Sequence, residues 1–164
     1  MNIGLIDCDS KIPNLALMKL SAWHKSIGDD VSFYSPIFEY DKVYASKVFT
    51  FTTCPFLPEN CIKGGSGFDI HAKLPNEVEN CHPDYDLYEC DYAIGFITRG
   101  CIRACDFCIV PAKEGGIKKA TELSSFWSGQ KKIMLLDNNL TASPDCIQII
   151  RDLKKTKAAI DFSQ

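Results

Sequence analysis

The chain has 164 residues, of which 46% are hydrophobic and 24% are charged, and its formal net charge is −3. This balance is typical of a soluble globular protein, and a chain of this length can bury a core without disulfide staples. The sequence contains no apolar run long enough to cross a membrane, no signal-peptide pattern and no dense basic block of the kind that binds nucleic acid. We therefore expect a cytoplasmic protein with no membrane partner.

The first part of the chain, residues 1–51, predicts an open α/β unit of the Rossmann-like kind. The predicted elements are a strand over 2–8, a helix from Asn14 to a stop at Gly28, and strands over 31–34 and 42–51. Apolar residues at helical spacing predict the buried face of the helix as Ala16, Leu20, Trp23 and Ile27. Short strands on either side of a single helix favour an α/β fold class.

Residues 52–91 differ in composition from what precedes them. Prolines, acidic residues and the Gly64-Gly65-Ser66-Gly67 run predict an irregular linker. The glycine run lacks the lysine of a phosphate-binding loop, so a tight turn is the better interpretation.

Regular structure is predicted again over residues 92–164. A strand over 93–98 leads into a cysteine-rich loop, and a short helix is predicted over 121–127. A strand over 133–136 is followed by a helix with Ser143 as N-cap and Pro144 at its first position. Its apolar face is predicted as Cys146, Ile149, Ile150 and Leu153, and a last strand covers 158–162.

Three of the nine cysteines, Cys101, Cys105 and Cys108, fall within eight residues. In a reducing compartment such spacing favours metal or redox ligands over disulfides, and an odd count argues against a simple paired framework. Thiolates at short spacing hold iron–sulfur clusters, whereas structural zinc usually takes four ligands in two separated pairs. Three ligands leave one iron open to substrate or cofactor. Buried thiols and a zinc site remain the alternatives.

The spacing C-x-x-x-C-x-aromatic-C, together with the preceding strand and the Thr-Arg-Gly lead-in, resembles the signature loop of the radical S-adenosylmethionine enzymes. The resemblance covers about residues 92–164. It implies the first part of the partial (β/α)6 barrel that forms the core of these enzymes. It also implies a 4Fe–4S cluster held by Cys101, Cys105 and Cys108. It also implies that S-adenosylmethionine binds the open iron and is cleaved reductively to a 5′-deoxyadenosyl radical, with the substrate unknown.

Further expectations follow from the resemblance. Phe107 would lie near the adenine, and Asp137, Asn138 and Asn139 would stand where the family has a Gly-Gly-Glu-like segment near the methionine amino group. An ordinary turn at this place is an equal alternative. An electron donor such as flavodoxin or ferredoxin would be a partner.

The N-terminal unit is similar to the cobalamin-binding-like domain of some radical enzymes. Residues 7–12 read DCDSKI and lack the cobalamin motif, so cobalamin binding is not expected. The layout also resembles methylthiotransferases, in which Cys8, Cys54 and Cys81 would hold an auxiliary cluster; scattered buried cysteines are the alternative.

The predicted core contains fewer strand–helix units than a full barrel of this family. We expect a C-terminally truncated core, whose missing strands a partner chain could supply and which could be inactive alone. Two other functions stay open. One is an electron-transfer or sensor module with Cys90 or Cys146 as a fourth cluster ligand, and the other is an inactive homologue that kept the fold.

Overall fold

The computed structural model describes residues 1–54 and 56–162, and it divides into two compact units, Met1–Glu89 and Cys90–Gln164. Residues 55, 163 and 164, which belong to the predicted linker and core, lie outside the described part. Both units are mixed α/β structures with parallel sheets, so the predicted α/β class is confirmed. In the described residues, no helix is both long and apolar enough to cross a membrane.

The first unit is built on a parallel sheet with strand order β2-β1-β3-β4. Its strands are β1 (Asn2–Asp7), β2 (Asp30–Phe33), β3 (Lys42–Ser46) and β4 (Ile62–Gly64), and its helices are α1 (Leu15–Ser26) and α2 (Asn76–Glu79). Alternate residues of β1 face opposite sides of the sheet. Ile3 and Leu5 therefore pack with Leu17, Leu20 and Val78, while Ile6 packs with Val43 and Ala45.

Helix α1 begins and ends as predicted, but its buried face is different. The Asn14 side chain accepts from the backbone amides of residues 16 and 17, and Gly28 follows the helix with a φ of 87°. Ile27 is 54% exposed, whereas Ser21 and His24 are fully buried. The buried face contains Leu17 and the predicted Leu20 as well as the polar Ser21 and His24, so it is rotated from the predicted one. His24 hydrogen-bonds Asp29 at 2.6 Å, and Ser21 has its partner in the segment 75–89.

Residues 52–91 are not an irregular linker in the structure. They supply β4 to the sheet, and Val78 is 2% exposed in the core beside α1. Polar contacts fasten the segment to α1: the Ser21 hydroxyl donates to Asp84 Oδ2 at 2.5 Å, and Lys25 Nζ donates to the same oxygen at 2.6 Å. Burial by itself raises the pKa of Asp84. The two hydrogen bonds and the charge of Lys25 together lower it by more, so the pKa lies below its usual value of 3.8.

The second unit has a three-stranded parallel sheet with order β5-β8-β9 and a two-stranded antiparallel ribbon, β6-β7. Its elements are β5 (Ala93–Gly95), β6 (Thr98–Arg99), α3 (Val110–Lys113), β7 (Lys118–Lys119), β8 (Lys132–Leu135), α4 (Cys146–Thr156) and β9 (Ala159–Phe162). The helix predicted over 121–127 is a short 3₁₀ turn at Leu123–Ser125.

The last helix begins later than predicted. The N-cap of α4 is Asp145, not Ser143, because Ser143 is extended and follows a 3₁₀ turn over Leu140–Ala142. Leu153 is buried as expected, but Ile150 on the predicted apolar face is 44% exposed.

Candidate metal centre

The three clustered cysteines lie on a loop whose two ends are paired with each other. The antiparallel pairs Thr98↔Lys119 and Arg99↔Lys118 close its base. The Cys101 amide adds a further hydrogen bond to the Gly115 carbonyl at 3.2 Å. The loop therefore leaves the sheet edge and returns to it over one narrow base.

Gly100 is required where the two sides of this base approach most closely. Its φ is +87°, and a Cβ built on it would stand 2.3 Å from the Gly116 carbonyl oxygen. Left-handed backbone strains any residue with a side chain, and the clash adds to that strain. Only glycine permits the loop to close directly before Cys101.

Residues that follow β8 hold the start of the loop. Strands β5 and β8 are parallel neighbours, with Gly95 paired to Leu135, so their carboxyl ends meet at one edge. Asp137 is 1% exposed there. Its carboxylate accepts from the Ile97 amide at 3.1 Å, and from the Thr98 amide at 2.5 Å and hydroxyl at 2.6 Å.

These bonds give Asp137 a structural role. Both of its oxygens accept from the chain and the side chain is buried, so it holds the backbone that leads to Cys101, and its contact with a cofactor stays a prediction. The hydrogen-bonding demand of two buried amides, which cannot be read from sequence, determines this role.

The next two residues reach the same loop. Asn138 Oδ1 accepts from the Gly100 amide at 3.0 Å. Asn139 Nδ2 donates to Cys101 Sγ at 3.3 Å, and its Oδ1 accepts from the Thr141 hydroxyl at 3.1 Å. For Asn138 and Asn139, which are partly buried, contact with a cofactor stays a prediction.

Each of the three loop thiols is free and partly buried. The Arg103 amide and then the Asn139 side chain donate to the Cys101 sulfur, and these bonds hold the pKa of the Cys101 thiol below its usual value. The Cys108 amide donates to the Cys105 carbonyl at 3.0 Å, which forms a turn between these two residues.

Across residues 1–54 and 56–162, no three cysteine, histidine or acidic side chains are gathered closely enough to hold a metal ion. The loop thus brings the thiols together along the chain without preassembling them around one point. Their chemistry still fits an iron–sulfur cluster, because one loop carries three free thiols and a side-chain amide already donates to one of them.

Two apolar side chains of the loop are exposed. Phe107 is 94% exposed and Ile102 is 68% exposed. In contrast, Arg99 lies over the Phe96 ring at 4.2 Å and pairs with Glu114 at 3.3 Å. The base of the loop is therefore fixed by internal contacts, while its tip presents an aromatic ring to whatever binds beside the cysteines.

The candidate fourth ligands lie in different places. Cys90 precedes β5, at the sheet edge opposite the loop, and its thiol donates to the Tyr92 carbonyl. Cys146 begins α4, after the turn that follows β8, and is free and partly buried. Cys146 is therefore on the loop's side of the sheet, and Cys90 is not.

The N-terminal cysteines include a disulfide that sequence reasoning did not predict, between Cys8 and Cys54. It forms because the chain after β3 is drawn back over the end of β1. Asp9 accepts from the amides of residues 48 and 49 and from the Thr52 hydroxyl. Cys81 is unpaired, and its thiol donates to the Glu77 carbonyl. The three cysteines considered for an auxiliary cluster are thus not equivalent.

Comparison with known proteins gives no family for the chain. No protein-family model matches it, and no curated protein matches it significantly.

Proposed function

We propose that the protein is a radical S-adenosylmethionine enzyme whose 4Fe–4S cluster is held by Cys101, Cys105 and Cys108. The observation that carries the proposal is the loop itself: three free thiols at this spacing, on a base closed at the carboxyl edge of a parallel sheet. Chemistry is commonly sited at this edge in α/β proteins.

Three thiols can bind only three of the four irons of such a cluster, so the fourth iron would be open to the cofactor. A reduced cluster held by these thiols would supply one electron to the sulfonium of S-adenosylmethionine, and the cofactor would then be cleaved to methionine and a 5′-deoxyadenosyl radical. The part of the chain is to hold the thiols, orient the cofactor and exclude water. The buried Asp137 and the left-handed Gly100 fix the backbone that leads to Cys101, and the exposed Phe107 ring is available to cover an adenine.

The finer fold assignments belong to the same proposal. A parallel sheet in which β1 lies between β2 and β3 is typical of doubly wound, Rossmann-like units. We propose a cobalamin-binding-like ancestry for this unit, without cobalamin, and the first part of a radical-enzyme barrel for the second. Strand β9 lies at a sheet edge, where further strands from a partner chain would pair.

Electron supply and location follow from the chemistry. A reduced flavodoxin or ferredoxin is the proposed donor, and a reducing cytoplasm is the proposed compartment. The Cys8–Cys54 disulfide is unusual for such a compartment, so its redox state in the cell bears directly on the location.

Anaerobic reconstitution of the full chain with iron and sulfide tests the proposal. We expect a cluster whose reduced electron-paramagnetic-resonance signal changes when S-adenosylmethionine is added. Each of the substitutions Cys101→Ser, Cys105→Ser and Cys108→Ser should abolish the cluster. Cys81→Ser, which changes a free thiol of the first unit, should leave the cluster intact. A reduced signal unaffected by S-adenosylmethionine would contradict the proposal.

The second candidate is a fully protein-ligated electron-transfer or sensor module. The place of Cys146 on the loop's side of the sheet favours it as the fourth ligand over Cys90. In that case Cys146→Ser would lose the cluster or change its signal. A Cys146→Ser protein with an unaltered cluster supports the enzyme instead.

A further inference from the structure

We infer that Asn139 is a positioning residue that sets the reduction potential of the cluster through its hydrogen bond to Cys101. The inference rests on the proposed function, since it concerns the cluster that Cys101 would help to hold. It assigns Asn139 a role toward the sulfur ligand rather than toward the bound cofactor.

The geometry directs an amide N–H at the sulfur. Asn139 Nδ2 lies 3.3 Å from Cys101 Sγ. The other end of the same amide is anchored, because Thr141 Oγ1 donates to Asn139 Oδ1 at 3.1 Å. A thiolate can only accept, so it selects the amide orientation with Nδ2 toward the sulfur, and the Thr141 hydroxyl can then donate to Oδ1.

The backbone on both sides of this contact is also held. Asn138 accepts from the Gly100 amide, directly before Cys101, and Leu140, directly after Asn139, is 2% exposed. The segment that carries the sulfur and the segment that carries the amide are therefore hydrogen-bonded to each other next to this contact. An N–H that remains in place through reduction favours the state with more negative charge on the sulfur.

The other donors to this sulfur, the Arg103 amide at 3.4 Å and the Ile102 amide, belong to the backbone, so no side-chain substitution short of proline removes them. Asn139 is thus the donor to this sulfur that a side-chain substitution can remove. The ligating sulfur is negatively charged in both redox states, so only the difference in strength of this bond between the two states moves the potential. Losing it should therefore change the reduction equilibrium by at most about tenfold. Tenfold is about 59 mV for a one-electron couple.

The test is a redox titration of the reconstituted chain, followed by electron paramagnetic resonance. Asn139→Ala should shift the midpoint potential to a more negative value, and the near-isosteric Asn139→Asp, which replaces the donor by an anion, should shift it further. Thr141→Val, which removes the anchor, should shift it in the same direction by less. Ser143→Ala, a neutral change in the following turn, should leave it unchanged.

The outcomes separate the inference from the function on which it rests. If the wild-type chain binds no cluster, the proposed function fails and the inference fails with it. If the cluster forms and responds to S-adenosylmethionine, but Asn139→Ala and Asn139→Asp keep the wild-type potential, the inference alone is overturned. If Asn139→Ala does not hold a cluster, the potentials of Asn139→Asp and Thr141→Val decide in the same way.

Discussion

Removing the Asp137 carboxylate should destabilise the second unit strongly. In Asp137→Ala, the buried amides of Ile97 and Thr98 and the Thr98 hydroxyl lose their acceptor. A buried unsatisfied donor costs about 1–3 kcal/mol, so the two amides alone give about 4 kcal/mol. Asp137→Asn keeps the shape and turns one acceptor into a donor, so about half of that loss is expected.

The assay can be confined to one unit because each contains one tryptophan, Trp23 in the first and Trp127 in the second. In a Trp23→Phe background, urea unfolding followed by fluorescence reports the free energy of unfolding around Trp127. Asp145→Ala is the matched control, since Asp145 is exposed and makes no side-chain cap bond. If Asp137→Ala and Asp145→Ala both stay within about 0.5 kcal/mol of the parent, the proposed role of Asp137 is refuted.

Three further predictions concern other parts of the chain. Gly100→Ala should lower the free energy of unfolding by about 2 kcal/mol or more and reduce the iron content of the reconstituted protein. Gly115→Ala, where φ is 74° but the space around the Cβ is open, should lower it only by the backbone strain of about 1 kcal/mol. Urea unfolding and iron analysis compare the two variants. Asp84 has a lowered pKa, so its contribution to stability is present above about pH 4 and lost as the pH falls through its folded-state pKa; Asp84→Asn should flatten this acid limb, and an unchanged limb would contradict it. Reducing the Cys8–Cys54 disulfide, which spans 46 residues, should destabilise the first unit by about 4 kcal/mol in the chain-entropy model; an unfolding midpoint that reductant does not move would count against it.

The sequence predicts well those elements whose signal is local. Strand β1, both ends of α1 and strand β8 lie close to their predicted places, because apolar runs and a side-chain N-cap identify them. The predicted face of α1 is right for Leu20, but the buried face turns toward Ser21 and His24, which are buried through hydrogen bonds rather than hydropathy. Residues 52–91 were misinterpreted for the same reason, since long-range polar contacts fasten this turn-rich segment to α1.

The candidate site divides along similar lines. Cysteine spacing identified the loop, and strand order explains why residues after β8 lie beside it. The role of Asp137 could not be read from Asp137-Asn138-Asn139, because the same residues are typical of an ordinary turn. What distinguishes them is that Asp137 accepts from two backbone amides after β5. These amides come within its reach only once β5 and β8 are paired.

The two units use one device at the carboxyl edge of their sheets, with different results. In the first, Asp9 follows β1 and accepts backbone amides after the neighbouring β3, and the Cys8–Cys54 disulfide closes the same place. In the second, Asp137 follows β8 and accepts amides after the neighbouring β5, but the chain beyond them remains an open loop with free thiols. A parallel sheet has one edge at which its strands end, and a ligand needs unsatisfied groups there. At the first edge, Asp9 and Cys8 are occupied by contacts with their own chain, whereas the second edge presents three free thiols and an exposed Phe107. This difference supports the proposal that the chemistry lies in the second unit.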